Sequence, residues 1–239
     1  MLLNNTVSRL IQRVEKSIIE PCHLCGGRSN HSTMLCSACD DDLPSYQHRC
    51  EICAIPLPKL QYSLCGQCLA HRPAFDRVYS PYLYQAPVTN LIHQLKYQHQ
   101  LHSLRLLGKL MSDYLQDQMQ TMPDILIPVP LHRKRLKERG FNQASELALR
   151  IKKAMGIPVD NHLITRKKYT EAQTGLKPRQ RKSNLAGAFK INKKFIPQSI
   201  LIVDDVMTTG ATAAELAKCL KRGGAKSVEV ITLARADRR

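Results

Sequence analysis

The sequence predicts an α/β protein in which a parallel sheet flanked by helices follows a small N-terminal cysteine-rich zinc-binding domain. From residue 75 onward, short apolar runs alternate with stretches of helical periodicity, which is the pattern of strands joined by crossover helices. Before that point, eight of the nine cysteines occur in C-x-x-C pairs. We therefore expect an amphipathic helix at 1–20, a zinc-ribbon domain with four C-x-x-C knuckles at 21–72 and an α/β domain at 73–239.

The first region has apolar residues at helical spacing, namely Val7, Leu10, Ile11, Val14 and Ile18. This helix either docks on protein or contacts a membrane surface or a partner. No apolar run in the chain approaches the roughly 20 residues that span a bilayer. The first twenty residues also lack the continuous apolar stretch and small-residue cleavage site of an export signal. The sequence thus predicts a cytoplasmic protein without a transmembrane segment.

The C-x-x-C pairs are separated by ten, ten and eleven residues, as in zinc knuckles, where two thiolates on one tight turn meet two on the next. The paired cysteines are Cys22, Cys25, Cys36, Cys39, Cys50, Cys53, Cys65 and Cys68. Disulfides are the structural alternative, but a reducing compartment disfavours them. We expect two structural Zn²⁺ ions in sequential order, one for the first four cysteines and one for the last four. An interleaved pairing stays open.

Periodicity and turn residues place the elements of the α/β region. Strands are expected at 77–84, 124–129, 162–165, 200–203 and 227–233, and helices from residue 88, at 101–119, at 143–155 and at 211–221. The polar, basic stretch 166–187 is expected to be a long mobile loop.

The stretch LIVDDVMTTGAT, at 201–212, places two carboxylates after a buried strand and hydroxyls before a helix. We expect the strand to end at the acids, Asp204 and Asp205. Residues 208–212 then form a loop at a helix N-terminus, where free N–H groups and the helix dipole favour a phosphate. The carboxylates can accept hydrogen bonds from sugar hydroxyls or help to hold magnesium. Together these features predict a phosphosugar site.

The net charge of +17 is unevenly distributed. Residues 1–76 contain seven Lys/Arg and seven Asp/Glu, so the entire excess lies in 77–239. The stretch 166–194 carries ten basic residues and one acid, and 133–139 carries five and one. Such stretches either bind polyanions or form solvated loops. No P-loop and no H-E-x-x-H motif is found, which disfavours P-loop and zinc-protease functions.

The stretch ILIVDDVMTTGAT resembles the phosphoribosyl-diphosphate signature of type I phosphoribosyltransferases. This resemblance implies a type I phosphoribosyltransferase-like fold for 73–239 and assigns Asp204 and Asp205 to the ribose hydroxyls, as the catalytic acids if the protein turns over. It implies Mg²⁺ bound with phosphoribosyl diphosphate. The implied phosphate loop comprises Met207, Thr208, Thr209, Gly210, Ala211 and Thr212.

The segments LIPVPLHRKRLKERGFNQASELA and FDRVYSPYLYQAPVTNLIHQLKY, with the four knuckles, resemble the ComF family, also called ComFC or GntX. These proteins are associated with natural transformation (DNA uptake), acting on incoming single-stranded DNA in the bacterial cytoplasm. The implied pyrophosphate loop comprises Pro130, Leu131, His132, Arg133 and Lys134 and extends to Arg135. The implied flexible loop, 170–184, carries Arg179, Arg181 and Lys182 for closure or DNA contact.

Two functions follow from the resemblance. The first is a competence protein that binds phosphoribosyl diphosphate or a related phosphosugar or nucleotide, handles single-stranded DNA and contacts competence-machinery proteins. The alternative is a catalytic phosphoribosyltransferase that transfers ribose 5-phosphate to a small acceptor, with 75–97 as the acceptor hood. The sequence leaves turnover, the acceptor and the oligomeric state open.

Overall fold

The structure of the protein is a computed structural model that describes residues 21–29, 34–58, 61–97, 102–168, 186–193 and 196–237. The helix expected at 1–20 lies outside these residues. The chain groups into two compact units, Met1–Leu43 and Pro44–Arg239. The second four cysteines therefore belong to the unit that contains the sheet, whereas the sequence places a domain boundary after residue 72. That boundary stays a prediction about which segments fold independently.

The described helices are α1 (Ser37–Asp41), α2 (Gly66–Ala70), α3 (Val88–Tyr97), α4 (His102–Gln118), α5 (Arg133–Arg139), α6 (Gln143–Met155) and α7 (Ala211–Arg222). Helix α6 has the predicted bounds. The Asn142 side chain accepts from Ala144 N–H at its start, and Gly156 ends it in the left-handed conformation. Every helix among the described residues is too short or too polar to span a bilayer.

The described strands are β1 (Val78–Tyr79), β2 (Tyr82–Leu83), β3 (Ile125–Pro128), β4 (Ile164–Arg166), β5 (Phe189–Ile191), β6 (Ser199–Met207) and β7 (Ser227–Arg235). The main sheet runs β1-β7-β6-β3, with β2 also paired to β7, and all these pairings are parallel. Strands β4 and β5 form a separate antiparallel pair. The predicted parallel sheet with flanking helices is confirmed.

The centre of the sheet is mostly apolar, because both of its faces are covered. Ile202 in β6 lies opposite Val230 in β7, and both are completely buried. Since parallel strands present their carboxyl ends at one edge, this arrangement brings the end of β3 beside the acids of β6.

The prediction that the strand ends at the acids is wrong. Strand β6 continues through Asp204 and Asp205 to Met207, because its pairing with β7 extends to Met207 opposite Arg235. The strand expected at 77–84 is divided into β1 and β2 on either side of Ser80 and Pro81. Proline has no N–H for the ladder, which interrupts pairing at that point.

Candidate functional site

Met207 is the last residue of β6, and residues 208–212, called the phosphate loop below, follow it and include the first two residues of α7. Gly210 is the N-cap of α7 and has φ 76°, a left-handed conformation that favours glycine. The hydroxyl of Thr209 accepts from Ala211 N–H at 3.3 Å, which closes the turn into the helix. As predicted, a short loop rich in hydroxyls feeds a helix N-terminus.

The acid pair, Asp204 and Asp205, lies in β6 immediately before this loop. The N–H of Asp205 donates to Oδ1 of Asp204 at 3.0 Å, and Thr232 Oγ1 donates to the carbonyl of Asp205 at 3.1 Å. Helix α3 contributes Lys96, whose ammonium forms an ion pair with Oδ2 of Asp205. Both side chains are largely buried, with exposures of 20% for Lys96 and 13% for Asp205.

The two carboxylates are electrostatically unfavourable for each other. Burial, reinforced by the neighbouring charge of Asp205, raises the pKa of Asp204 to about 8, although the side chain keeps some accessible surface. Burial lowers the pKa of Lys96, but the charges of Asp205 and Asp204 outweigh it, so that the net pKa is raised. The pair is thus held in an environment where a cation or hydrogen-bond donors relieve real repulsion.

The cysteines form two clusters that follow the sequential pairing. The first cysteine cluster is Cys22, Cys25, Cys36 and Cys39, and the second cysteine cluster is Cys50, Cys53, Cys65 and Cys68. In each, the four Sγ atoms lie within 4.8 Å of one another. The Cys25–Cys36 Sγ distance is 3.7 Å and the Cys53–Cys65 distance is 3.6 Å. Tetrahedral zinc with bonds of about 2.3 Å separates its sulfurs by about 3.8 Å, so both clusters have the size of a zinc site.

The thiols of the second cluster titrate unequally. Hydrogen bonding from Cys53 lowers the pKa of Cys50 to about 4, and burial raises the pKa of Cys68 to about 12. Burial disfavours negative charge on thiols that lie this close together. A dication is needed to keep four thiolates together, which is what zinc supplies.

Several known proteins are similar to this chain along most of its length. The phosphoribosyl transferase domain family matches residues 93–239. Competence protein F of Haemophilus influenzae is 35% identical over 211 residues, covering 84% of this chain and 90% of that protein. The DNA utilization protein YhgH of Escherichia coli K12 is 34% identical with the same coverage. Competence protein ComFC of Bacillus subtilis is 28% identical and covers 84% of each chain.

The chain belongs to the ComF family. The match to the phosphoribosyl transferase domain begins at residue 93, within α3. Lys96, the partner of Asp205, therefore lies inside the matched segment. The segment 75–97, expected as a hood, contributes this lysine to the acid pair.

In this ComF-family chain, the predicted pyrophosphate loop leaves the end of β3 and passes directly into α5. His132 is the N-cap of α5, and its Nδ1 accepts from Lys134 N–H at 3.3 Å. Arg133 and Lys134 are exposed, whereas Pro130 and Leu131 are half-buried. The sequence did not predict α5, because its seven residues lack an apolar face. The roles of these residues, like those of the acid pair and the phosphate loop, stay predictions.

Lys96 and Arg166 are two basic residues that the sequence did not single out and that interact with the acids. Arg166 lies at the end of β4. Burial, together with the charge of Arg135, lowers the pKa of its guanidinium, and the charge of Asp204 opposes this shift. Arg166 also lies over the ring of Phe189, 5.9 Å from its centroid. Neither Arg166 nor Lys96 belongs to a local motif, so only tertiary structure identifies them. Arg179, Arg181 and Lys182, expected in the flexible loop, lie outside the described residues.

Proposed function

We propose that this ComF-family protein binds a phosphorylated ribose, either phosphoribosyl diphosphate or a related phosphosugar or nucleotide, and acts on incoming single-stranded DNA in natural transformation. The observation that carries the proposal is the placement of the acid pair at the sheet edge, directly before a phosphate loop that opens a helix. One ligand that has a diol and a terminal phosphate satisfies both parts.

In the proposed complex, the N–H groups at the start of α7 and the hydroxyls of the phosphate loop donate to the 5′-phosphate. Asp204 and Asp205 accept from the ribose hydroxyls. Lys96 holds Asp205 in place, since it pairs with one carboxylate oxygen and leaves the other for the sugar.

The metals belong to the proposal as well. Carboxylate oxygens are ligands that Mg²⁺ accepts, and the raised pKa of Asp204 indicates a site that gains from added positive charge. Mg²⁺ bound with the diphosphate would neutralise part of its charge. The two cysteine clusters fit two structural Zn²⁺ ions in size and donor type.

Calorimetry with phosphoribosyl diphosphate and Mg²⁺ tests the ligand. We expect binding by the wild type and at least about a hundredfold weaker binding by Asp204→Asn/Asp205→Asn, since charge-assisted hydrogen bonds from both hydroxyls are weakened. Asp113→Asn is the matched control, because that carboxylate, whose side chain is 46% exposed, pairs only with Lys109 of α4 among its described contacts. Equal binding by the double variant and the control would exclude the acid pair as the sugar site.

The DNA part is supported by the names of the relatives and by the basic surface of 133–139. A single-stranded oligonucleotide titrated at several salt concentrations tests it, because phosphate contacts make affinity fall steeply with salt. Neutralising Arg179, Arg181 and Lys182 together should reduce the slope of log K against log salt by about 2. A control with exposed Lys152, Lys153 and Lys226 neutralised has the same net charge. An identical slope in both variants would remove the flexible loop from the DNA contact.

The second candidate function is catalytic transfer of ribose 5-phosphate, favoured by Arg166, whose guanidinium interacts electrostatically with both Asp204 and Arg135. In that reaction the bond from the anomeric carbon to pyrophosphate breaks, an acceptor bonds to that carbon and loses a proton, and the basic residues stabilise the leaving charge. Release of pyrophosphate that depends on an added acceptor would establish it. Binding without release under all acceptors tried would favour the competence role.

A further inference from the structure

A buried arginine connects the second cysteine cluster to the phosphate loop. Arg235, the last residue of β7, is 2% exposed. Its Nε donates to the carbonyl of Cys53 at 2.8 Å. Its Nη1 donates to the carbonyl of Met207 at 2.9 Å and to that of Thr208. One planar guanidinium therefore holds a cluster cysteine and the first residue of the phosphate loop at fixed separation.

These hydrogen bonds also orient the loop. In a planar trans peptide the carbonyl and the following N–H point in opposite directions. By holding the carbonyls of Met207 and Thr208, Arg235 directs the N–H groups of Thr208 and Thr209 away from itself. It also turns the carbonyl oxygens of Met207 and Thr208, which would repel a phosphate, toward the guanidinium. The carbonyl of Met207 is also held by the N–H of Ala236 at 2.9 Å, so Arg235 matters most for the direction of the Thr209 N–H.

The charge of Arg235 supplies a reason for the cluster to hold it. A guanidinium that is 2% exposed and bonded to backbone carbonyls requires negative charge nearby, because neutral acceptors only partly replace its hydration. Four thiolates around Zn²⁺ carry a net charge of −2. The carbonyl of Cys53 brings Arg235 next to that charge.

We propose that Arg235 is a positioning residue through which the metal state of the second cysteine cluster controls the phosphate loop. With metal bound, the loop presents its N–H groups; without metal, the arginine loses its counter-charge and the loop is released. By linkage, a ligand bound in the loop must raise the affinity of the cluster for its metal by the same factor by which the metal raises the affinity of the loop for that ligand. The ligand side rests on the proposed function, whereas the metal-to-loop side stands on the contacts of Arg235 alone.

Hydrogen exchange tests the metal-to-loop side without any ligand. The full chain carrying Cys22→Ser/Cys25→Ser keeps only the second cluster, so a zinc-selective chelator acts on that cluster alone. We expect chelation to raise exchange at 208–212 while strand β3 stays protected. With Arg235→Lys added, the loop should exchange fast before chelation and change little after it, because lysine cannot bond all the carbonyls at once.

Arg49→Lys is the matched control. Arg49 directly precedes the cluster residue Cys50 and is partly buried, and it donates to the carbonyls of Ser80, at 2.7 Å, and Tyr46 rather than to the loop. In the Arg49→Lys variant, chelation should raise hydrogen exchange at 208–212 as much as it does in the Cys22→Ser/Cys25→Ser protein. The proposal is overturned if the Arg235→Lys loop responds like the control, if chelation exposes β3 and the loop equally, or if the purified protein holds no zinc in this cluster.

Calorimetry with phosphoribosyl diphosphate and Mg²⁺ tests the ligand side. We expect Arg235→Lys to bind about tenfold more weakly than Arg49→Lys, within the range typical of coupled sites. Equal affinity in the two variants overturns the ligand side. If the wild type binds no phosphoribosyl diphosphate while exchange still links metal to loop, the proposed function fails and the role of Arg235 stands.

Discussion

The two cysteine clusters share one local structure and differ in their surroundings. In the first, the N–H of Gly26 donates to the carbonyl of Cys22 at 2.9 Å, and in the second the N–H of Ala54 donates to Cys50 at 2.9 Å. Both Gly26, with φ 75°, and Ala54, with φ 53°, are left-handed. The C-x-x-C knuckle therefore has the same turn in both clusters.

The second half of each cluster also corresponds. Cys36 is the N-cap of α1 and Cys65 is the N-cap of α2, and both have extended backbone angles. The burial is different. Cys25 is exposed, whereas Cys50, Cys53 and Cys68 pack in the core with β6, β7 and α7.

This difference teaches that ligand spacing determines the geometry of a knuckle but not what the knuckle stabilises. The second cluster is part of the hydrophobic core of the α/β unit, so its metal is expected to support the sheet. The first belongs to its own compact unit and is expected to support only that unit.

Removal of ligands gives the largest expected contrast. Cys50→Ser/Cys53→Ser should destabilise the α/β unit by about 4 kcal/mol and leave it folded, because loss of a bound metal is among the most destabilising changes but costs less than the stability of a typical domain. Cys22→Ser/Cys25→Ser should change the unfolding of 44–239 by less than about 1 kcal/mol. Calorimetric melting of both variants provides the measurement, and equal losses would abolish the distinction between the clusters.

Truncation inside the knuckles should give the next largest contrast. Ile52 and Leu24 both precede the second cysteine of a knuckle, but Ile52 is 5% exposed in the core and Leu24 is half-buried. Ile52→Ala should cost about 3 kcal/mol of unfolding free energy and Leu24→Ala less than about 1 kcal/mol. Urea denaturation measures both, and a larger loss for Leu24→Ala would reverse the comparison.

The pH dependence should distinguish the α/β unit further. The pKa of Asp204 is about 8 in the folded protein and 3.8 as an isolated group, so the folded state keeps a proton that the unfolded chain releases. Unfolding free energy should therefore fall as pH rises from about 4 to 8, by on the order of 2 kcal/mol once solvent screening and the charges of Asp205, Lys96 and Arg166 are allowed for.

Asp204→Asn should flatten this dependence, and Asp113→Asn should leave it unchanged. Urea titrations at pH 5 and pH 8.5 measure the slope. A wild-type protein that becomes more stable over this interval would contradict the raised pKa.

The smallest expected contrast concerns the left-handed residue of each knuckle. Gly26→Ala introduces a Cβ in a left-handed conformation and should cost the first unit about 1 kcal/mol. Ala54→Gly should be near neutral, because relief of the same strain is offset by loss of a buried methyl group. Thermal melting of each variant checks this, and a strongly destabilising Ala54→Gly would show that packing outweighs strain.

Local signals in the sequence predicted the elements whose ends are chemically marked. Asn142 and Gly156 bound α6, and the four C-x-x-C pairs determine both clusters. Asp204 and Asp205 were located beside a phosphate loop because the strand, acids, hydroxyls and helix are contiguous.

Features that depend on distant residues were missed. The extension of β6 to Met207 depends on its pairing with β7, and the partner of Asp205 is Lys96, more than a hundred residues earlier in the chain. Arg235 has no motif around it. The packing of the second cluster against the sheet likewise depends on tertiary contacts, which spacing does not encode.

The extension of β6 has a consequence for ligand choice. The acids are fixed in the ladder of the sheet, and only Thr208, Thr209 and Gly210 separate β6 from α7. The distance between the acid pair and the start of α7 is therefore fixed by the fold. If the proposed phosphosugar is the ligand, we expect ribose 5-phosphate to bind more tightly than an isomer with its phosphate on another carbon.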